Sequence, residues 1–160
     1  MAQEDKDLLL TDLCARLPYG VRILHKGWNY EWDDELSTVE RVVGIDEDFI
    51  YTKVIDTHNG EEYRDDKWPI DTFDDKLFLR PMSSMTEDES AELSYIISEW
   101  FDKELFYLTE EPFLEYALSI INYSISPLLF DWLNRNHFDY RGLIPKGLAI
   151  PVTKENNPYK

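Results

Sequence analysis

The sequence predicts an α+β protein with an N-terminal helix, a small antiparallel sheet or open barrel over about 21–80, and a helical C-terminal half over about 86–150. The prediction depends on leucines at helical spacing near the start, short alternating runs between turn residues, and later apolar stripes with a 3.6-residue period. A chain of 160 residues with 43% hydrophobic side chains has enough material for one core. We therefore expect a single domain over 1–160, with a β-rich part 18–81, a helical part 86–150 and a polar, mobile tail 154–160.

The first helix is predicted over 4–17. Leu9, Leu13 and Leu17 recur every four residues and would form one apolar face. Pro18 is predicted to end the helix, because proline lacks the backbone donor that a further turn requires.

Strands are predicted between this helix and the next one, at 21–25, 39–45, 49–55, 62–68 and 76–80. The first is predicted to end at Lys26-Gly27. The acidic run 46–48 is predicted to form a connecting turn. Asn59-Gly60 predicts a type I′ hairpin turn, because both residues tolerate a positive φ.

The C-terminal half carries signals for several helices. Thr86 and Glu89 have the spacing of a capping box, in which each side chain bonds a free backbone donor of the other residue. A second helix is predicted near Pro112. Ser126-Pro127 predicts the start of a third, with serine as the cap and proline at the first helical position.

The charge limits the partners that the protein can bind. The chain has 33 acidic and 16 basic side chains, for a net charge of −17, while 14% of it is aromatic. Binding to nucleic acid or to an anionic membrane needs lysine and arginine, so neither is expected. The aromatic content argues against disorder. Since the sequence shows neither a signal peptide nor a long apolar run, a cytoplasmic location is predicted.

The charge is also unevenly distributed along the chain. Residues 86–116 contain ten acidic side chains and one lysine, whereas from 117 onward five basic side chains outnumber three acidic ones. This asymmetry predicts that the last segment packs back on the rest of the protein, partly steered by charge.

Familiar catalytic signatures are absent from the sequence. It has no glycine-rich phosphate loop, no nucleophile elbow, no zinc-binding helix and only one cysteine, Cys14, which is predicted to be a buried structural thiol. His25, His58 and His137 have no histidine or cysteine at a ligand-like spacing. The sequence therefore favours a non-enzymatic protein with no cofactor and no metal site.

One polar stretch combines aromatic and acidic side chains. The candidate binding residues are Trp28, Tyr30, Trp32, Asp33, Asp34 and Glu35. Exposed tryptophan and tyrosine are enriched where proteins recognise one another. The alternative is that the rings close the open end of a small barrel.

Three stretches of the sequence are the most distinctive: 15–21 (ARLPYGV), 79–86 (LRPMSSMT) and 131–149 (DWLNRNHFDYRGLIPKGLA). Together they resemble an uncharacterised family of short acidic proteins from gut Bacteroides-type genomes and their phage or conjugative elements. The resemblance extends over most of the chain. It implies a bacterial cytoplasm and an accessory role, but it assigns no activity to any residue.

The last of these stretches also contains an alternative catalytic cluster, Asp131, His137, Asp139 and Arg141. These groups could carry acid–base chemistry, with or without a divalent metal. In the structural alternative, Asp139 caps a short turn and Arg141 pairs with a carboxylate.

Taken together, these features predict an accessory protein of a phage or mobile element that binds a protein partner through acidic and aromatic surface. A more specific version is a decoy that imitates the phosphates of DNA and blocks a basic DNA-binding protein. The alternative is a small metal- or carboxylate-dependent enzyme with a site near His137.

Overall fold

The structure, a computed structural model, describes residues 2–29, 34–56, 59–98 and 127–159. The helices and strands in these ranges are α1 (Gln3–Arg16), β1 (Arg22–Asn29), β2 (Asp34–Ile45), β3 (Phe49–Ile55), β4 (Glu62–Pro69), β5 (Lys76–Leu79), α2 (Glu87–Ser98), α3 (Pro127–Arg135) and β6 (Ala149–Pro151). The α+β class is therefore confirmed. Two compact units are present, one formed by Met1–Met82 with His137–Lys160 and the other by Ser83–Asn136.

The first helix forms nearly where the leucine spacing predicts it. Leu9 and Leu13 are buried in the core of the first unit, whereas Cys14 is exposed, so the prediction of a buried thiol is wrong. Cys14 follows Leu13 directly and is rotated by about 100° around the helix, which takes it off the apolar face. The α-helix ends at Arg16, two residues before Pro18. Pro18 itself lies in the short 3₁₀ helix Leu17–Tyr19, which continues directly from α1.

Within the described residues the strands form one open sheet with the order β4-β3-β2-β1-β5-β6. All pairings are antiparallel except that of β5 with β6, which is parallel. The open-barrel alternative is therefore wrong, because β4 and β6 remain as edges. The sheet does not need to close, since α1 supplies Leu9 and Leu13 to the core on one face.

The observed strand boundaries differ most from the predicted ones where β1 pairs with β2. Gly27 does not end β1 but pairs with Leu36, and the ladder continues to Asn29 and Asp34. Glycine is compatible with a strand when a neighbouring group needs close approach to the backbone. The ring of His25 occupies that space, because a Cβ at Gly27 would lie 3.0 Å from His25 Nε2.

The two other predicted turns join the strands as expected, but one has a different geometry. The 46–48 turn is confirmed: a carboxylate oxygen of Asp46 accepts the backbone N–H groups of Asp48 and Phe49. The β3–β4 hairpin is also confirmed. Its closing bond runs from the N–H of Asp56 to the carbonyl of Glu61 at 2.9 Å. The loop is therefore longer than a two-residue type I′ turn, and that part of the prediction is wrong.

The second unit confirms the capping box. Thr86 N–H donates to the Glu89 carboxylate at 2.8 Å, and Glu89 N–H donates to the Thr86 hydroxyl at 3.3 Å. The helix predicted from Pro127 is α3, which begins at that residue, and the predicted cap Ser126 lies outside the described residues. The helix predicted near Pro112 lies outside the described residues.

The C-terminal segment is not entirely helical, because 137–159 belongs to the first unit and contains β6. As the charge asymmetry predicts, basic side chains of this segment pair with acids of α1. Arg141 contacts Asp12 at 2.8 Å and Lys146 contacts Asp5 at 3.0 Å. The polar tail, predicted to be mobile, is held by Tyr159, whose hydroxyl donates to the Phe78 carbonyl at 2.8 Å.

Candidate functional site

Three of the six candidate binding residues, Trp28, Asp34 and Glu35, lie on the ladder formed by β1 and β2. Trp28 is in β1 and pairs with Glu35 of β2, and Asp34 pairs with Asn29. The backbone therefore brings Trp28 and the two acidic residues of β2 to the same end of the ladder. Tyr30, Trp32 and Asp33 lie outside the described residues.

The predicted catalytic cluster is divided between the two units. Asp131 lies on α3 in the second unit and accepts a hydrogen bond from Arg135 at 2.8 Å. His137, Asp139 and Arg141 belong to the first unit. Asp139 and Arg141 make the contacts expected in the structural alternative.

Each carboxylate oxygen of Asp139 accepts one backbone N–H, from Leu143 and from Ile144, both at 2.8 Å. The side chain therefore organises the turn that leads toward β6. Arg141 donates to Asp12 at 2.8 Å, so its guanidinium connects the same segment to α1.

His137 is enclosed rather than presented to solvent. Only 8% of its surface is exposed, its φ is +57°, and its ring stacks on Tyr159 with centroids 3.9 Å apart. Burial lowers the pKa of His137 to about 4, and the positive charges of Arg16 and two further arginines depress it in the same direction. The imidazole is therefore neutral at pH 7.

A different histidine is oriented by a carboxylate. His25 Nδ1 lies 3.0 Å from both carboxylate oxygens of Asp75, and the ring stacks on Trp68 with centroids 3.8 Å apart. Only 14% of the His25 side chain and 6% of the Asp75 side chain are exposed. With Nδ1–H donating to Asp75, Nε2 is left as the acceptor beside Gly27.

A fully buried carboxylate, that of Glu40, is connected to this pair through Trp68. Glu40 accepts hydrogen bonds from the hydroxyls of Thr38 and Thr52, at 2.8 Å and 2.6 Å, and from the indole N–H of Trp68 at 2.8 Å. Three donors balance much of the cost of burying its charge.

The Asp75 carboxylate responds to its burial and to its charged neighbours. Burial is the main reason why the pKa of Asp75 is raised, the hydrogen bond from His25 opposes the shift, and the negative charge of Glu40 adds to it. We call His25, Asp75, Glu40 and Trp68 the His25 cluster.

The His25 cluster was not predicted from the sequence, although part of the signal for it is present there. In β2, Thr38 and Glu40 alternate with Val39 and precede the buried Val42, so two polar residues share its inward face. A buried acid at such a position requires donors from neighbouring strands. The identity of those donors depends on strand order and register.

No protein-family model, curated protein or solved structure matches the chain. Among the described residues, no three His, Cys, Asp or Glu side chains are grouped so that they could hold a metal ion. The helices within these residues include none with the length and apolar character needed to cross a membrane.

Proposed function

We propose that the protein is a non-enzymatic accessory protein that binds a basic protein partner through acidic and aromatic surface. The observation that carries the proposal is the exposed face of α2. Asp88, Glu92 and Tyr95 follow one another at helical spacing on this face, and Tyr95 is 62% exposed. Leu93 and Ile97 are buried, so the helix separates a core side from a charged outer side.

The charge of the second unit supports a basic partner. Residues 83–136 contain eleven acidic and two basic side chains. Such a concentration of one sign accelerates the encounter with an oppositely charged surface, and a tyrosine within it offers a large contact area at low entropic cost. The DNA-decoy version of the proposal assigns the carboxylates the role of phosphates and takes a DNA-processing protein of a phage or mobile element as the partner.

The test is partner capture from a bacterial lysate with the full chain and with the triple variant Asp88→Asn, Glu92→Gln, Tyr95→Ala. We expect the wild type to retain a basic protein that the variant releases. Raising the salt from about 0.1 M to about 1 M shortens the screening length from about 10 Å to about 3 Å, so a charge-driven complex should dissociate over this range.

The matched control neutralises two exposed carboxylates of the first unit, with Glu47→Gln and Asp74→Asn. It changes the net charge by the same amount and leaves α2 intact. Equal loss of the partner in both variants would show that total charge, rather than the α2 face, holds it. Retention of the partner by the triple variant would contradict the assignment to α2.

A second candidate, an enzyme that uses carboxylates and a histidine, is supported by the geometry of the His25 cluster. A histidine oriented by a carboxylate, with its other nitrogen available, is the arrangement of a general base. His25 fits this role better than His137, because His137 is enclosed and has no carboxylate partner among the described residues.

The test of this candidate is hydrolysis of a p-nitrophenyl ester by the wild type, by His25→Gln and by the control His137→Asn. Loss of the rate only in His25→Gln would support a proton acceptor at His25. Equal rates in the three proteins would remove the candidate.

A further inference from the structure

A buried group of charges in the first unit is positive, although the chain as a whole is strongly acidic. Asp12 receives two hydrogen bonds from Arg16, at 2.6 Å and 3.1 Å, and one from Arg141 at 2.8 Å. Asp12 and Arg16 are both 0% exposed. One carboxylate therefore pairs with two guanidinium groups, and the triad retains one positive charge; Asp12 and Arg16 are shielded from water, whereas 22% of the Arg141 side chain is exposed.

Two buried nitrogen atoms beside this triad have no hydrogen-bond partner in the part of the chain that the structure describes, Arg16 Nη1 and His137 Nδ1. They belong to one neighbourhood, because Arg16 Nη2 donates at 2.7 Å to the carbonyl of Phe138, the residue after His137. A buried donor without a partner costs about 1–3 kcal/mol, and more when it is charged. Arg16 Nη1 is always a donor, and His137 Nδ1 is a donor in the tautomer that carries the proton there, so an occupant that accepts hydrogen bonds would satisfy both atoms.

Arg22 adds further positive charge near the stacked rings of His137 and Tyr159. The Arg22 guanidinium lies 5.6 Å from the centre of the Tyr159 ring, on which His137 stacks, and it donates to the carbonyl of Pro158. Within the described ranges, no carboxylate lies at ion-pair distance from Arg22. Burial lowers the pKa of Arg22, as expected for a cation that is only partly compensated.

The backbone at His137 is also unusual. Its φ of +57° makes it the only residue other than glycine with a positive φ in the described part of the chain. This conformation costs on the order of 1 kcal/mol for such a residue and persists where surrounding contacts enforce it, often at binding sites. Here the imidazole is stacked against Tyr159, and the positive charge of Arg16 acts on the same ring.

We propose that Arg16, His137 and Arg22 form a binding site for a small oxyanion, of the phosphate or carboxylate class. Arg16 Nη1 donates to the anion, neutral His137 donates through Nδ1–H, and Arg22 contributes charge from the side of the tail. A buried water molecule would satisfy the two nitrogen atoms but would supply no negative charge to the Asp12 triad, whose arginines otherwise approach the Tyr140 ring at 5.4 Å and 4.5 Å. An anion satisfies both requirements.

The experiment measures thermal unfolding of the full chain against the concentration of inorganic phosphate, with sodium chloride at equal ionic strength as the reference and sodium acetate as the second anion. We expect a saturable rise in the unfolding temperature with phosphate, with acetate, or with both, since a ligand that binds only the folded state stabilises it. The anion whose stabilising effect saturates at the lower concentration, phosphate or acetate, identifies the class of oxyanion.

Arg22→Gln is the informative variant, because it removes the positive charge and keeps a polar side chain. We expect the concentration for half-maximal stabilisation to rise several-fold. Arg64→Gln, which changes an exposed arginine of β4, is the control and should behave as the wild type. His137→Asn tests the second donor, because asparagine also tolerates a positive φ.

The proposal is overturned if neither anion stabilises the wild type beyond chloride at the same ionic strength. It is also overturned if Arg64→Gln weakens the effect as much as Arg22→Gln does, because the anions would then act only by general screening. These outcomes are independent of partner capture through α2, which depends on residues of the other unit.

Discussion

Lowering the pH from 7 to about 4.5 is expected to destabilise the protein through His137. In the folded state its pKa is lowered to about 4, mainly by burial and secondly by the charge of Arg16. In the unfolded chain the pKa returns to its ordinary value of about 6.5. Between these two values the unfolded state binds the proton more readily, so stability is complete above about pH 6.5 and decreases as the pH falls toward 4.

The size of the effect follows from the two pKa values. A difference of about 2.5 units corresponds to at most about 3 kcal/mol, since each unit is worth about 1.4 kcal/mol. At pH 4.5 most of the protonation of the unfolded state has occurred, so the expected loss is about 2 kcal/mol relative to pH 7.

The assay is urea unfolding of the wild type and of His137→Asn at pH 7, 6, 5 and 4.5. The raised pKa of Asp75 acts in the opposite direction, because it adds stability as the pH falls, but it acts in both proteins and cancels in the difference. We expect the free energy of unfolding of the wild type to decrease by about 2 kcal/mol more than that of the variant. Parallel pH profiles for the two proteins would refute the reasoning.

Three other substitutions test the contacts on which the structure depends. Glu40→Ala leaves the indole N–H of Trp68 and two threonine hydroxyls without their acceptor, and we expect a loss of about 3 kcal/mol in urea unfolding; a loss below about 1 kcal/mol would contradict the network. Thr86→Ala removes the capping hydroxyl of α2 and should cost about 1 kcal/mol, read in the same assay, and an unchanged stability would contradict the cap. Tyr159→Phe removes the hydroxyl bonds of the tail and should cost about 1 kcal/mol, with faster hydrogen exchange at the Arg22 amide; unchanged exchange would mean that the tail is held by stacking alone.

The sequence predicted most of the local structure in the described residues. The leucine spacing located α1, the Thr86 capping box located α2, and Pro127 marked the start of α3. These predictions succeeded because helix ends and apolar faces depend on neighbours within a few residues. The charge asymmetry also indicated correctly that the last segment packs back on the rest of the protein. It did not predict that this segment meets α1.

The two candidate sites, the His25 cluster and the site formed by Arg16, His137 and Arg22, were harder to predict from the sequence. His25 and Asp75 are 50 residues apart in the chain, and Arg16 and Phe138 are 122 apart. The alternation in β2 indicates that Glu40 faces inward, but it does not show which histidine or tryptophan meets it. These pairings depend on strand order and register, which set the partners of each inward-facing side chain.

The amino-acid sequence by itself determined the acidic character, the α+β class and the positions of the main turns and helix ends, because each depends on composition or on contacts between near neighbours. Only the tertiary structure decided that the sheet stays open, that β6 joins β5 in parallel, and that the tail covers His137. It also brought Arg141 to the buried Asp12–Arg16 pair of α1. These outcomes come from the packing of distant segments, in which burial and the pairing of charges select one arrangement among many that the local sequence would permit.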